Sequence, residues 1–348
     1  FSGLVLFFTS IVFYSCSSTH DFSPIPLSEV ELDSSKYLVD KPQINDLSYE
    51  NIVFKGGGVL GIAYVGSMEV FELNGLLDGV KNVAGTSVGS ITAALVAVGA
   101  GSQGLKEAFI KTNFKSIVSD KGGLIGDGIR LKNKFGLHSG DEFIESLKNN
   151  IESFCGDAQI TFAELEKLHE KNPNKFKKLN IVSSNLTTGL SEIFSAENTP
   201  DFPVWMAVRC SMSIPILFEP YHVNGTYYVD GALGWNYPIN LFDERDENGN
   251  QIFNPKTLGF YLERENQMDH PIFLKRGNEI NSFEESARAI VEFMMKGLNA
   301  THLSEKDNFR SVYINELGVN PTNFDISDEM IIGLIESGRK SMDEFLES

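Results

Sequence analysis

Cysteine is scarce in this chain, and the few cysteines lie far apart. Only Cys16, Cys155 and Cys210 occur among the 348 residues, and no two of them form a C-x-x-C motif. A disulfide framework needs an even set of paired cysteines, and a structural zinc site needs thiolate or imidazole ligands at short spacing. The sequence fits neither class, and we expect no metal and no other cofactor.

Basic residues are also few relative to acidic ones. The chain has 29 Lys and Arg against 47 Asp and Glu, which gives a formal net charge of −18. Nucleic-acid binding depends on Lys and Arg placed against phosphates, so we expect no nucleic-acid partner. The same negative charge gives no general attraction to an anionic bilayer. Contact with lipid must therefore come from apolar side chains or from a covalent anchor.

The one long apolar run lies near the start, from Leu4 to Tyr14. It is too short to cross a bilayer as a helix and has the length of a signal-peptide core. Cys16 follows Ser15 directly, as the lipid-modified cysteine follows a small residue in bacterial lipoproteins, which this segment resembles. We expect export and membrane association through lipidated Cys16. A cleaved signal without lipid and an uncleaved anchor stay open, and the protein is cytoplasmic if this segment is not a signal.

Three regions are expected along the chain. Residues 1–16 form the signal-like or lipoprotein-like segment, and residues 17–50 are polar and contain three prolines, which is typical of a tether or an N-terminal wrap. Residues 51–348 form the folded domain. We find no internal repeat and no low-complexity tract.

The folded region opens with a repeated order of strand, glycine turn and helix. Strands are predicted at Ile52–Phe54 and Val80–Ala84, and helices at Gly61–Leu73 and Ile91–Val98. This order is typical of an α/β fold with a parallel sheet and right-handed crossovers. Later elements are also predicted: helices within residues 104–178, a terminal helix at Ile326–Leu346, a polar turn at Asp243–Asn254, and strands at Asn180–Ser184, Ser191–Ser195 and Thr257–Leu262.

A G-x-S-x-G motif occupies Gly85–Gly89, between the second strand and the second helix. Its glycines Gly85 and Gly89 permit a sharp elbow in which the backbone of Ser87 is strained and its hydroxyl projects from the sheet edge. The apolar strand before it and the small-residue helix after it are the context that such an elbow needs. Ser87 is therefore the candidate nucleophile, and a glycine turn with an idle serine is the alternative.

A second glycine turn, Gly56–Gly61, follows the first strand and fits G-x-G-x-x-G. A dinucleotide site would need an acid at the end of the second strand, but Asp78 follows a sequence that resembles a helix end. Glycines at a helix N-terminus can instead aim backbone N–H groups at developing negative charge. We expect an oxyanion hole for Ser87 here, with the N–H groups of Gly57 and Gly58 as donors, within the set Gly56, Gly57, Gly58 and Gly61.

A serine hydroxyl needs a base that accepts its proton. The predicted strand that ends at Asp230 is followed at once by Gly231 and Ala232, which presents the carboxylate at a strand end and lets other backbone approach closely. None of the six histidines stands in a comparable glycine-rich or strand-end context. Asp230 is therefore the candidate base, and an ordinary Asp-Gly turn is the alternative.

In motif order, residues 52–238 resemble the patatin-like phospholipases. Gly56–Gly61 resembles the oxyanion motif of the family, Gly85–Gly89 its nucleophile elbow, and Asp230–Ala232 its Asp-Gly-Gly/Ala motif. The segment Arg209–Pro220 is similar to the stretch that precedes that aspartate. The resemblance implies a three-layer α/β/α sandwich with a mostly parallel central sheet, and a Ser-Asp dyad that hydrolyses acyl esters of lipids. Leu60 departs from the family, which often has Arg or Lys there, and this puts head-group preference in doubt.

Two other functions remain open on the sequence alone. An α/β-hydrolase esterase would need a histidine after Asp230, and only His270 and His302 follow it. A surface lipoprotein could also bind lipid through the same fold without catalysis. In each case the expected partners are a lipid or phospholipid and a membrane surface, and the sequence identifies no protein partner.

The expected anchor gives a first prediction. Expressed from its full reading frame in a bacterial host, the protein should partition into membranes, because the charge of −18 leaves a lipidated cysteine as the main attachment. Cys16→Ser should release the protein or stall its processing, as measured by membrane fractionation and immunoblotting. Equal membrane recovery of the two forms would contradict lipidation at Cys16.

Overall fold

The first two strands and helices follow the predicted order of strand, glycine turn and helix. In the computed structural model, which describes residues 48–111, 134–263 and 304–348 and residue 289, β1 (Asn51–Phe54) is followed by a 3-10 helix (Gly58–Ile62) and α1 (Ala63–Leu73). Strand β2 (Asn82–Thr86) leads through Ser87 into α2 (Val88–Ala97). Helix α2 thus begins directly at the elbow and before the predicted Ile91, because the small residues after Ser87 can pack closely enough for the helix to start there.

The other described elements complete the domain. The sequence did not predict the short strands Gly136–His138, Ile216–Phe218, Tyr221–Val223 and Ser311–Asn315, or the short hairpin within the predicted polar turn. The first of these strands lies in the region that was predicted to be helical. In chain order the elements are α3 (Gly101–Lys111), β3 (Gly136–His138), α4 (Asp141–Cys155), α5 (Phe162–Lys171), β4 (Lys178–Asn185), β5 (Leu190–Phe194), α6 (Val204–Ser211), β6 (Ile216–Phe218), β7 (Tyr221–Val223), β8 (Thr226–Asp230), a 3-10 helix (Gly231–Leu233), β9 (Glu244–Arg245), β10 (Gln251–Ile252), β11 (Thr257–Glu263), α7 (Glu305–Asn308), β12 (Ser311–Asn315) and α8 (Asp328–Glu347).

The main sheet confirms the predicted α/β class. Its strands follow the order β12-β11-β1-β2-β4-β8-β7, and β5 also pairs with β4. The five strands from β12 to β4 are parallel, whereas β5, β7 and β8 make antiparallel pairs. The central sheet is therefore mostly parallel, with its antiparallel part at one side.

Two strands meet end to end along one edge of β4. Thr86, the last residue of β2, is paired with Val182, and Asp230, the last residue of β8, is paired with Ser183. Strand β5 occupies the other edge of β4, opposite the same two residues. Because β2 and β8 run in opposite directions and stop at adjacent positions of β4, the residue after Thr86 must lie beside Asp230.

The sheet buries both of its faces. One face packs into the main core, where Phe54 of β1 stacks on Phe260 of β11 with ring centroids 4.9 Å apart. The other face holds a smaller cluster around Val53 and Ala84, covered by Tyr237 and Ile239 from the chain after β8. The segment that follows Asp230 therefore crosses the second face of β1 and β2, and this course brings it to the candidate site.

Some of the expectations fall outside the described residues. Cys16 and all but the last three residues of the expected tether lie before residue 48, and part of the predicted helical region lies within residues 112–133. Among the residues that are described, no helix is both long and apolar enough to span a membrane.

Candidate active site

The elbow around Ser87 has a backbone conformation that few residues adopt. Ser87 has φ 55° and ψ −126°, a left-handed conformation that costs energy for any residue other than glycine. Its neighbours explain how the turn is so tight. A Cβ atom at Gly85 would overlap the carbonyl of Gly89, and a Cβ at Gly89 would overlap the carbonyl of Phe54. Glycines at both positions therefore let the elbow close against β1.

The side chains of Ser87 and Asp230 are in direct contact. The Ser87 hydroxyl donates a hydrogen bond to Asp230 Oδ2 at 2.6 Å, and the Ala232 N–H donates to Asp230 Oδ1 at 2.8 Å. Burial raises the pKa of Asp230 to about 7, and the hydrogen bonds from Ser87 and Ala232 oppose that rise. Within the described part of the chain, no histidine hydrogen-bonds to either residue. The contact joins a serine hydroxyl to a buried carboxyl group of near-neutral pKa.

The glycine turn supplies backbone donors near the serine. The N–H of Gly56 donates to the carbonyl of Asn236 at 3.2 Å, and the N–H of Val59 donates to the carbonyl of Pro321 at 3.0 Å. In the described ranges no hydrogen-bond acceptor is found for the N–H groups of Gly57 and Gly58, which are partly exposed. These two groups are therefore available to an oxyanion.

The other two glycines of the predicted oxyanion set serve close packing. A Cβ at Gly56 would lie 3.0 Å from the Cβ of Ser87, and a Cβ at Gly61 would overlap the side chain of Val88. The N–H of Gly56 is already occupied by Asn236, so it is not free to bind an oxyanion. Gly56 and Gly61 thus bring the glycine turn against the elbow, whereas the donor role is expected of Gly57 and Gly58.

Sequence reasoning missed the contribution of the end of α6 and of the turn after it. Ser211 Oγ accepts a hydrogen bond from the Ser87 N–H at 2.9 Å and donates to the carbonyl of Val182 at 2.6 Å. The carbonyl of Ser213 accepts a hydrogen bond from the Asp230 N–H at 2.9 Å. Ser211 and Ser213 lie within the segment noted above for its family resemblance, but their contacts depend on tertiary structure.

An apolar cleft includes Ser87 in its lining. Gly58 and Ser87 line it together with residues of helices α2, α3 and α4 and of the chain after α6. Aliphatic and aromatic side chains dominate the lining, which includes Ile91, Leu95, Phe109, Phe143, Leu147 and Phe324. A cleft with this lining is suited to a hydrocarbon chain and leaves the polar chemistry at Ser87.

Comparison with known proteins assigns the family. The sequence model of the patatin-like phospholipase family matches residues 52–243, which include the glycine turn, the elbow and Asp230. The chain belongs to the patatin-like phospholipase family. The match spans more than half of the chain and ends shortly after the Asp-Gly-Ala motif.

Relatives of this patatin-like protein occur in viruses and bacteria. It is 28% identical to "Uncharacterized protein R571" of Acanthamoeba polyphaga mimivirus, over 86% of this chain and 94% of that protein. It is 29% identical to "Probable lipid hydrolase 463L" of Invertebrate iridescent virus 6, over 56% of this chain and 63% of that protein. The crystal structure of VipD from Legionella pneumophila has the same fold, with a TM-score of 0.56 and 18% identity over 86% of this chain and 67% of VipD.

The family and the fold together define the general activity. This patatin-like protein is a lipid acyl hydrolase. The alternative of an α/β-hydrolase with a Ser-Asp-His triad does not agree with this family.

The raised pKa of Asp230 predicts a pH-dependent rate. A protonated Asp230 cannot accept the Ser87 proton, so kcat/KM should rise with pH and level off above a midpoint near 7. Initial rates on a soluble ester between pH 5 and 9 measure this midpoint. A rate that stays level from pH 5 to pH 9 would rule out Asp230 as a base of raised pKa.

The pH dependence of the unfolding free energy, measured on the same protein, is an independent check on the raised pKa of Asp230. The folded state keeps the Asp230 proton up to about pH 7, whereas the unfolded chain releases it near its ordinary value of 3.8. The protonated Asp230 therefore makes its full favourable contribution to the free energy of unfolding below pH 3.8, and this contribution is lost as pH rises through 7. As pH rises from 5 to 8, the unfolding free energy of the parent should therefore fall by roughly 2–4 kcal/mol relative to that of Asp230→Asn, which has no carboxyl group to titrate.

Proposed function

We propose that the protein is a serine carboxylic-ester hydrolase of phospholipase A type, with Ser87 as nucleophile and Asp230 as base. The observation that carries this proposal is the 2.6 Å hydrogen bond to Asp230 Oδ2 from the Oγ of Ser87, a residue that lines an apolar cleft. Nucleophile, base and backbone donors then lie within one small region, as acyl transfer requires.

The reaction proceeds in two steps. In the first, Ser87 Oγ attacks the ester carbonyl carbon while its proton moves to Asp230 Oδ2, and the N–H groups of Gly57 and Gly58 bind the resulting oxyanion. Collapse of this intermediate breaks the ester C–O bond, and the proton on Asp230 passes to the departing alcohol. In the second step water attacks the acyl-Ser87 ester, Asp230 takes a proton from the water, and the fatty acid leaves as Ser87 is regenerated.

The environment supports each role. A pKa of about 7 makes Asp230 a stronger base than an aspartate in water, while a good fraction stays ionised at neutral pH. An aspartate is still a weak base toward an alcohol, so oxyanion binding must supply much of the rate. One such donor is typically worth about 2.7–4 kcal/mol.

The apolar lining points to the acyl part of the substrate. Side chains such as Phe109, Phe143 and Leu147 line the same cleft as Ser87. A fatty acyl chain placed there would have its ester carbonyl between Ser87 and the glycine turn. The cleft therefore supports a long-chain lipid ester as substrate, as does the lipid hydrolase name of the iridescent virus relative.

The exposed ends of two hairpins support contact with a lipid surface. Leu186, Leu190 and Tyr227 are exposed to 54%, 67% and 40%, and the hairpins are joined by a hydrogen bond from the Leu186 N–H to the Tyr227 carbonyl at 2.9 Å. Residues 183–191 and 221–229 contain no Asp, Glu, Lys or Arg, although the chain has a net charge of −18. An uncharged apolar surface can meet a bilayer without electrostatic repulsion.

Labelling with a fluorophosphonate tests the nucleophile. The probe should modify Ser87 alone, and Ser87→Ala should abolish both labelling and ester cleavage. Asp230→Asn keeps the shape of the side chain but removes its basic charge, so turnover should fall by at least about 10²-fold. Labelling that survives Ser87→Ala would disprove the assignment.

Histidine variants serve as the matched controls. His222→Gln, His270→Gln and His302→Gln should each keep turnover within a fewfold of the parent, since the dyad uses no imidazole. A large loss in any of these variants, in a protein shown to be folded, would indicate a triad.

Vesicle binding tests the proposed membrane contact. In the Cys16→Ser background, where no lipid anchor can contribute, replacing both Leu186 and Leu190 by Asp should reduce sedimentation with phosphatidylcholine vesicles about tenfold or more. Turnover of a soluble short-chain ester should not change. Leu73→Asp is the control, because Leu73 is 86% exposed at the end of α1 and belongs to neither hairpin. Equal losses in the two proteins would show a general charge effect.

A further inference from the structure

The chain from Asp230 to Asn236 links the separate parts of the site. It begins with the base, and the carbonyl of Trp235 then accepts a hydrogen bond from Thr86 Oγ1 at 2.9 Å. One residue later, Asn236 reaches Gly56, the first glycine of the oxyanion turn. A short stretch of chain thus touches the base, the residue before the nucleophile and the oxyanion turn.

Asn236 makes two hydrogen bonds to Gly56. Its carbonyl accepts from the Gly56 N–H at 3.2 Å, and its side-chain Nδ2 donates to the Gly56 carbonyl at 3.3 Å. The side chain is buried, and its Oδ1 has no hydrogen-bond partner among the described residues. With the opposite amide orientation, Oδ1 would face the Gly56 carbonyl, so the donor must point toward Gly56.

The bond to the Gly56 carbonyl controls a neighbouring N–H. The carbonyl of Gly56 and the N–H of Gly57 belong to one planar trans peptide, in which they point in opposite directions. Holding the carbonyl toward Asn236 therefore holds the Gly57 N–H pointing away from Asn236. Glycines on both sides of this peptide leave it free to rotate unless another group fixes it.

We propose that Asn236 is a positioning residue that fixes the peptide between Gly56 and Gly57 and so aims the Gly57 N–H at the oxyanion. This inference rests on the proposed function, because it assigns Asn236 to the oxyanion hole of Ser87. The side-chain bond supports it, because Asn236 Nδ2 is the donor found on the Gly56 carbonyl among the described residues.

Asn236→Leu tests the proposal with a side chain of similar size and no donor. We expect kcat to fall about 10²-fold, as for loss of an oxyanion donor, with KM nearly unchanged, since the Gly57 N–H acts mainly on the transition state. The pH midpoint near 7 should stay in place because Asp230 is untouched. A kcat within about threefold of the parent, or a loss accompanied by a shifted midpoint, would overturn the proposal.

Two further variants complete the experiment. Asn236→Asp keeps the shape and places an oxygen against the Gly56 carbonyl, so it should lower kcat at least as much, and it decides the matter if Asn236→Leu does not fold. Asn240→Leu is the matched control, because Asn240 also has a buried Oδ1 without a partner in the described residues and makes no hydrogen bond to Gly56. It should keep kcat near the parent value, and an equal loss would refute a specific role for Asn236.

Failure of the positioning role of Asn236 can be distinguished from failure of the proposed function. If Ser87 is not the nucleophile, Ser87→Ala keeps its turnover, whatever the Asn236 variants do. If the dyad is correct and only the positioning role is wrong, Ser87→Ala is inactive while Asn236→Leu turns over normally.

Discussion

The pairing of β4 with two strands on the same edge is the constraint on which the site depends. Thr86 and Asp230 are paired with the consecutive residues Val182 and Ser183. Neighbouring residues of a strand are only about 3.3 Å apart, so the ends of β2 and β8 are held within side-chain reach. The dyad distance is therefore fixed by backbone hydrogen bonds of the sheet, and a slip of one residue in either strand would separate Ser87 from Asp230.

Burial of Asp230 has two opposing effects. It removes water from the carboxylate, which raises the pKa to about 7 and makes the group a better base. It also disfavours the charged form that catalysis needs, and among the described residues no cationic side chain contributes to the pKa of Asp230. The hydrogen bonds from Ser87 and Ala232 partly offset this cost. The site thus holds its base close to the point where proton uptake and release are balanced.

Local patterns predicted the parts of the site, and long-range contacts supplied their arrangement. The elbow at Ser87, the glycine turn and the strand end at Asp230 each have a signature within a few residues, and the mostly parallel sheet followed from their order. Asn236 meets Gly56 across 180 positions and Ser211 meets Ser87 across 124 positions, so neither contact has a local signal. The pKa of Asp230 depends on burial, which tertiary packing sets. The unpredicted strands β3, β6, β7, β9, β10 and β12 are only two to five residues long, too short for a clear alternating pattern.

The two halves of the cleft differ in how freely they could change during evolution. At the chemical end, Gly56, Gly61, Gly85 and Gly89 lie against backbone or core side chains so closely that no larger residue fits without movement. Along the cleft, helices α3 and α4 contribute residues such as Phe109 and Leu147. Substitutions in those helices can reshape the space for a lipid without disturbing the strand register that holds the dyad. Descendants of such a scaffold can therefore diversify in substrate while keeping one catalytic geometry.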